Sequence, residues 1–157
     1  MREILLTQGK VALVDDEDFE EISKYKWHVN NDGYATRNYW LNQKCYTIRL
    51  HRLITKAKSG DEVDHINLNK LDDRKSNLRI CSLSENRRNR TIKQNNTSGY
   101  KGISFCPEKK KNQWSSRIGI NGKRICLGHY GTKKEAAQVY NNAAIKYHGE
   151  FARLNKI

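Results

Sequence analysis

The spacing of four polar residues between positions 63 and 89 constrains this chain more than any other feature. The pair Asp64 and His65 is followed by Asn77, 12 positions after the histidine, and by Asn86, 9 positions further on. Apolar and polar residues alternate over 63–66 and over 77–81, with a polar stretch at 68–75 between them. This pattern predicts two short strands joined by a loop.

A helix is predicted directly after the second strand. Ser82 and Glu85 have the spacing of a capping box, so the helix begins at Leu83 and carries Asn86 in its first turn. In the resulting strand–strand–helix unit the four polar side chains can converge. Their chemistry suits phosphodiester hydrolysis, because oxygen ligands hold a charge-stabilising divalent ion while a neutral histidine takes a proton from water.

The strings Val63-Asp64-His65-Ile66-Asn67 and Ser76-Asn77-Leu78-Arg79 resemble the HNH (ββα-metal) nuclease family, in the variant whose third position is Asn. The resemblance runs from about residue 51 to residue 89. The variant with Asn at the third position is common among homing endonucleases of mobile introns and phages. It implies a general base at His65 and metal ligands at Asp64 and Asn86.

The resemblance implies two further features of the loop. Asn77 would hold the imidazole of His65 through its side-chain carbonyl, which fixes the ring nitrogen that accepts the proton. Leu68 stands where the family often has Gly. If that position requires a positive φ, Leu68 strains the loop or changes its shape. The alternative interpretation, that these residues are ordinary loop formers and helix caps, suits each one alone better than all four at this spacing.

Charge predicts a polyanionic partner. The 157 residues carry 30 basic and 17 acidic side chains, a net charge of +13. Residues 1–50 hold 7 basic and 8 acidic residues, 51–96 hold 11 and 6, and 97–157 hold 12 and 3. The excess therefore falls on the predicted nuclease unit and, more strongly, on the last third of the chain, which favours nucleic acid as the partner.

Cysteine spacing and hydropathy bear on the compartment. Cys45, Cys81, Cys106 and Cys126 form no C-x-x-C pair, so reduced thiols are expected rather than a structural zinc site. No stretch approaches the roughly 20 apolar residues of a membrane span. The sequence therefore predicts a cytoplasmic protein with no membrane partner and no obligate protein partner.

The first 50 residues predict a small sheet that supports the nuclease unit. Apolar residues at 19, 22 and 25 indicate a short helix, Asp32-Gly33 marks a hairpin, and strands are expected near 27–29, 34–37 and 46–50. In related nucleases a basic pair at this point lies close to the DNA backbone, so Arg52 is predicted to touch phosphate. His51 is given a structural role and is not predicted to bind metal.

A basic stretch follows Asn86, at Arg87, Arg88, Arg90 and Lys93. A solvated charged face is the alternative, but beside a phosphate-cleaving unit these residues are predicted to contact phosphate. Polar residues 94–97 predict a linker.

Residues 98–157 predict a second domain made of three strands and one helix. Asn121-Gly122 sets a two-residue hairpin in which Ile118 faces Ile125 and Arg117 faces Cys126. Thr132 and Glu135 form a second capping box, before a helix that ends ahead of Gly149. The helix covers the apolar face of the sheet and leaves the arginine face free for DNA.

This second pattern resembles the DNA-binding domain of plant ethylene-response factors, through Tyr100-Lys101-Gly102-Ile103, Trp114, Leu127-Gly128, 135–137 and Tyr140. The resemblance places DNA-contacting side chains at seven positions, of which Lys101, Arg117 and Arg124 keep obvious DNA-binding chemistry. The seven are Lys101, Ser104, Cys106, Arg117, Gly119, Arg124 and Cys126.

Taken together, the patterns predict an α+β chain: a ββα-metal nuclease core with an N-terminal small sheet, followed by a three-stranded antiparallel sheet packed on one helix. The expected domains are 1–93 (nuclease), 94–97 (linker) and 98–157 (DNA binding). The expected activity is site-directed cleavage of double-stranded DNA with Mg²⁺ or Mn²⁺. The rival interpretations are a DNA-binding regulator with an inactive nuclease core and a structural or RNA-binding basic protein.

Overall fold

The computed structural model describes residues 1–92 and 94–157 and divides the chain into two compact units, Met1–Asn86 and Arg87–Ile157. Lys93, which the sequence placed in the basic stretch, lies outside the described residues. The architecture is α+β, with small antiparallel sheets and short helices. Among the described residues no helix is long and apolar enough to cross a membrane.

The first unit starts with a hairpin and a helix. Strands β1 (Arg2–Leu5) and β2 (Val11–Val14) pair antiparallel, and α1 (Asp16–Ser23) follows. Three acidic residues in the first turn of α1 interact favourably with the positive end of the helix dipole. A three-stranded sheet comes next, in the order β3 (His28–Val29), β4 (Ala35–Leu41) and β5 (Lys44–Arg49).

The strands β4 and β5 form a longer hairpin than the sequence predicted. Asn42 and Gln43 join them, both at positive φ, as a tight hairpin turn requires. The strand expected at 46–50 ends at Arg49, because helix α2 (Leu50–Thr55) begins at the next residue. This helix was missed: its N-cap is Arg49, whose side chain makes no capping hydrogen bond.

The predicted strand–strand–helix unit is present. Strands β6 (Glu62–His65) and β7 (Leu78–Cys81) pair antiparallel, and α3 (Leu83–Asn89) follows. A capping box starts α3, since Ser82 Oγ accepts from the Glu85 backbone N–H and the Glu85 carboxylate accepts from the Ser82 N–H. The core of the first unit draws on every element from β1 to β7. Its largest fully buried side chains are those of Trp27, Leu50 and Val14.

The second unit contains the predicted sheet and helix. Strands β8 (Ile103–Phe105), β9 (Trp114–Ile120) and β10 (Lys123–Tyr130) are antiparallel in the order β10-β9-β8. Ile118 pairs with Ile125 and Arg117 with Cys126, which confirms the predicted register. Helix α4 (Lys133–His148) begins with the predicted capping box at Thr132.

Helix α4 packs closely on the sheet because small side chains face it. Ala136, Ala137 and Ala144 are fully buried against Ile103 and Ile118. Gly102 has φ +77, and a Cβ there would lie 2.3 Å from the Tyr140 ring. Only glycine fits both the backbone angle and this close approach.

Candidate active site

The β6–β7 ribbon presents the predicted residues on two faces. Asp64 pairs with Arg79 and His65 with Leu78 in the strand register. Because neighbouring residues in a strand point to opposite faces, Asp64 and His65 lie on opposite sides of the ribbon. Both side chains are buried.

His65 belongs to a buried polar cluster with Asp73 and His51. His65 Nε2 lies 3.1 Å from Asp73 Oδ1, and the His51 ring meets the His65 ring edge-on with 5.2 Å between centroids. Tyr34 packs against both imidazoles. One ligand atom from each of His51, His65 and Asp73 lies within 4.8 Å of the other two.

Burial perturbs two members of this cluster in opposite directions. It lowers the pKa of His51 to about 3, helped by the charges of His65, Arg49 and Arg52, so His51 is neutral at pH 7. Burial raises the pKa of Asp73, although the hydrogen bond to His65 acts the other way. Among the described residues, His51 Nδ1 and Asp73 Oδ2 are buried without a hydrogen-bond partner.

Asp64 lies on the other face of the ribbon, against an arginine. Arg79 donates to Asp64 Oδ2 from Nε at 2.9 Å and from Nη2 at 2.7 Å. This fork satisfies the buried carboxylate, whose charge would otherwise be costly to desolvate.

Asn86 meets the same face from the first turn of α3. Its Nδ2 donates to Glu62 Oε2 at 3.1 Å, and Glu62 shares the Asp64 face of β6 because it is two residues away. Carboxylate and amide oxygens are the ligands that hard divalent cations prefer, so Asp64 and Asn86 stay the predicted metal ligands, and Glu62 is a further carboxylate beside Asn86.

The Asn77 side chain bonds the loop between the strands, and its hydrogen bond to His65 stays a prediction. Its Oδ1 accepts from the Asn67 backbone N–H at 2.9 Å, and its Nδ2 donates to the Asp72 carbonyl at 2.7 Å. Asn77 therefore fixes the loop between the strands by bonding its backbone, and the imidazole partner on that loop is Asp73.

The Arg52 guanidinium donates hydrogen bonds to backbone carbonyls of the first unit. Its Nη1 and Nη2 donate to the carbonyls of Asp61 and Lys58, each at 2.7 Å, which ties the turn after α2 to the helix. Arg52 also lines an open groove of about 760 Å³, together with Arg49, Asn38 and Thr47. Phosphate contact by Arg52 stays a prediction, with Arg49 as the more exposed cation of the groove.

The basic residues after Asn86 differ in exposure. Arg87 and Arg90 are exposed, whereas Arg88 is half-buried. The backbone carbonyls of Arg88 and Arg90 both accept hydrogen bonds from the Lys101 ammonium group.

Five of the seven DNA-contacting positions predicted within residues 98–157 line one depression of about 370 Å³: Lys101, Ser104, Arg117, Gly119 and Arg124. Ser104, Arg117 and Arg124 are exposed there. Lys101 is different, because its ammonium bonds carbonyls of its own chain and burial lowers its pKa to about 8. Lys101 therefore has a structural task at the end of α3.

Sequence reasoning missed Asp73, Glu62 and the placement of His51 beside His65. Asp73 lies within the polar loop 68–75, where one carboxylate among several polar residues gives no distinguishing signal. The weak signal for Glu62 was strand alternation, which puts it on the face of Asp64.

The ribbon, the helix and their buried histidine and carboxylates define a phosphodiester-hydrolysing enzyme of the ββα type. The model of the HNH endonuclease family matches residues 49–88. An HNH endonuclease of Acanthamoeba polyphaga mimivirus is 33% identical over 156 residues, covering 96% of this chain and 77% of the relative. The chain belongs to the HNH endonuclease family and is a DNA nuclease.

Other comparisons cover parts of the chain. Protein 3.8 of Escherichia phage T7 is 33% identical over 95 residues, 60% of this chain and 76% of that protein. APETALA2-like protein 2 of rice is 37% identical over 59 residues, which is 38% of this chain and 13% of the plant protein. The chain is also similar to a solved structure of the HNH homing endonuclease I-HmuI, with 25% identity and a TM-score of 0.37. The match covers 55% of this chain and 46% of the I-HmuI chain.

Proposed function

We propose that the protein is a site-directed, divalent-metal-dependent endonuclease that cuts double-stranded DNA, with His65 as the general base. The observation that carries the proposal is the buried contact of 3.1 Å between His65 Nε2 and Asp73 Oδ1. An ionised carboxylate only accepts hydrogen bonds, so the imidazole proton resides on Nε2. The basic lone pair then belongs to Nδ1, which takes the proton of the attacking water.

The oxygen donors of Asp64 and Asn86, with Glu62 beside them, fit Mg²⁺ or Mn²⁺. When bound, such an ion neutralises charge that develops on the phosphate and on the leaving oxygen. Arg79 holds the Asp64 carboxylate in a fixed orientation before substrate arrives. Asn77 positions Asp73 indirectly, because it holds the loop that carries Asp73.

The second unit supports site selection. Arg117 and Arg124 are exposed on one face of its sheet, and arginine on a three-stranded sheet suits guanine edges and phosphates in the major groove. The likeness of 59 residues to APETALA2-like proteins favours this unit as an ethylene-response-factor-like DNA-binding domain. Tethering would raise the local concentration of the nuclease unit at a bound site, a property that suits a homing role.

The test is conversion of supercoiled plasmid carrying candidate flanking DNA to nicked and linear forms, with Mg²⁺, with Mn²⁺ and with chelator. We expect metal-dependent cutting that is lost in His65→Gln and in Asp64→Asn. The matched controls are His129→Gln in the second unit and Asp61→Asn in the turn after α2, which should cut normally. Folded protein that binds the DNA but does not cut it would favour the regulator over the nuclease.

A further inference from the structure

The buried cluster of His51, His65 and Asp73 has the composition of a transition-metal site. Two imidazoles and one carboxylate are the ligands of many sites that hold a first-row dication with an open position. The three ligand atoms lie within 4.8 Å of one another, on three separate elements: helix α2, strand β6 and the loop before β7. All three residues are buried.

Two unpaired polar atoms point to a missing ligand. Among the described residues, His51 Nδ1 and Asp73 Oδ2 are buried with no hydrogen-bond partner. A buried polar atom left unpaired costs about 1–3 kcal/mol, so native structures usually supply a water or an ion. The same cluster provides both atoms, and its ligands are mainly nitrogen, which Mg²⁺ avoids.

We propose that His51, His65 and Asp73 bind a transition-metal dication of the Zn²⁺ class, at a site separate from the oxygen ligands Asp64 and Asn86. Zn–N bonds of about 2.0–2.1 Å put two ligands of a tetrahedral site about 3.3 Å apart. The His65 Nε2 to Asp73 Oδ1 separation of 3.1 Å is already close to this value. The longest separation must shorten by up to about 1.5 Å, through movement of the His51 side chain.

Occupancy would inhibit the nuclease, an effect that rests on the proposed role of His65. The dication takes the Nε2 lone pair, and the imidazole proton moves to Nδ1. Nδ1 then has no lone pair with which to accept the proton of water, so the base is lost without displacement of Mg²⁺. The site would thus make cutting sensitive to the supply of zinc.

Metal binding is tested on the full chain, stripped with chelator and titrated with Zn²⁺ against a chromophoric competitor in saturating Mg²⁺. We expect one tight site per chain, weakened at least about tenfold in His51→Gln and in Asp73→Asn. His129→Gln is the matched control and should bind like the wild type. Equal affinity in the wild type and in both cluster variants would overturn the proposal.

A second measurement separates this cluster from the cysteines. Co²⁺ should give visible absorption of a nitrogen and oxygen site without thiolate charge transfer, whereas thiolate bands would assign the metal to cysteine and refute the proposal. In plasmid cutting, stoichiometric Zn²⁺ should abolish Mg²⁺-supported activity, and a zinc-selective chelator should restore it. Binding without any cutting in Mg²⁺ would contradict the proposed function and leave the metal site standing.

Discussion

Leu68 shows how one residue can strain a loop that serves a site. Its φ is +69, so the sequence-based concern about this position is confirmed. Its N–H donates to the His65 carbonyl at 2.9 Å, which closes the turn directly after the proposed general base. A left-handed conformation costs a residue with a Cβ about 1–2 kcal/mol, and tertiary contacts must hold it there.

Leu68→Gly is expected to stabilise the first unit by about 0.5–1 kcal/mol, because relief of strain exceeds the entropy that glycine adds to the unfolded chain. The measurement is chemical unfolding followed by fluorescence. Asn42→Gly is the matched control: Asn42 also has a positive φ, but asparagine tolerates this conformation and gains less. A loss of stability in Leu68→Gly would mean that the half-buried leucine side chain contributes more than the strain removes.

The lowered pKa of His51 predicts how the stability of the metal-free protein changes in acid. Its folded pKa is about 3 against an ordinary value of 6.5, so the unfolded chain binds the extra proton. Stability conferred by neutral His51 is therefore complete above pH 6.5 and is lost as the pH falls towards 3. Between about pH 7 and about pH 5 the loss should be about 2 kcal/mol.

The check is unfolding at several pH values in chelator, comparing wild type, His51→Gln and His28→Gln. His51→Gln should flatten the acid slope, and His28→Gln should keep it. Asp73 has a raised pKa and contributes the opposite slope, but it is present in all three proteins and cancels in the comparison. An unchanged slope in His51→Gln would show that His51 is already protonated or hydrated in the folded state.

At the scale of elements, glycine determines how closely α4 can approach its sheet. A Cβ at Gly102 would lie 2.3 Å from the Tyr140 ring and 2.6 Å from the Arg117 carbonyl. Gly102→Ala should therefore cost about 3 kcal/mol, as strain plus overpacking. Gly99→Ala is the matched control, since Gly99 has the same φ of +77 but no atom within 4 Å of a Cβ.

Gly99→Ala should cost only the backbone strain, about 1 kcal/mol. The measurement in both variants is urea unfolding followed by tryptophan fluorescence, to which Trp114 contributes from the second unit and Trp27 and Trp40 from the first. Equal losses would show that the sheet and α4 can separate slightly without penalty, and that close packing at Gly102 contributes little.

Elements with a local signal were predictable, and those without one were not. The capping boxes at Ser82 and Thr132 fixed two helix starts, and Asn121-Gly122 fixed a register, because each depends on residues at most four apart. Helix α2 has no capping side chain, so its first residue, Leu50, was assigned to the preceding strand and the helix was not predicted. The His65–Asp73 contact depends on how the loop folds back, a tertiary property that strand and turn patterns do not encode.

At the scale of the whole molecule, charge is divided unequally. Residues 97–157 hold 12 basic and 3 acidic side chains, and residues 1–50 are nearly balanced. Residues 51–96, which carry the proposed nuclease residues, hold 11 basic and 6 acidic side chains, so the larger excess of positive charge lies outside them. Such a division lets affinity and cutting be altered separately, which a comparison of salt dependences can measure.

Arg117→Ala and Arg124→Ala should each weaken binding to duplex DNA and reduce the slope of log K against log salt by about 1, because each arginine that neutralises a phosphate releases counterions. Lys146→Ala removes the same charge from an exposed position on α4, the helix that packs on the sheet, and is expected to leave the slope near its wild-type value. Cutting at saturating protein should persist in all three variants, since Asp64 and His65 belong to the first unit. If Lys146→Ala changed the slope as much as Arg117→Ala, attraction would depend on total charge and the sheet face would not be the DNA-binding surface.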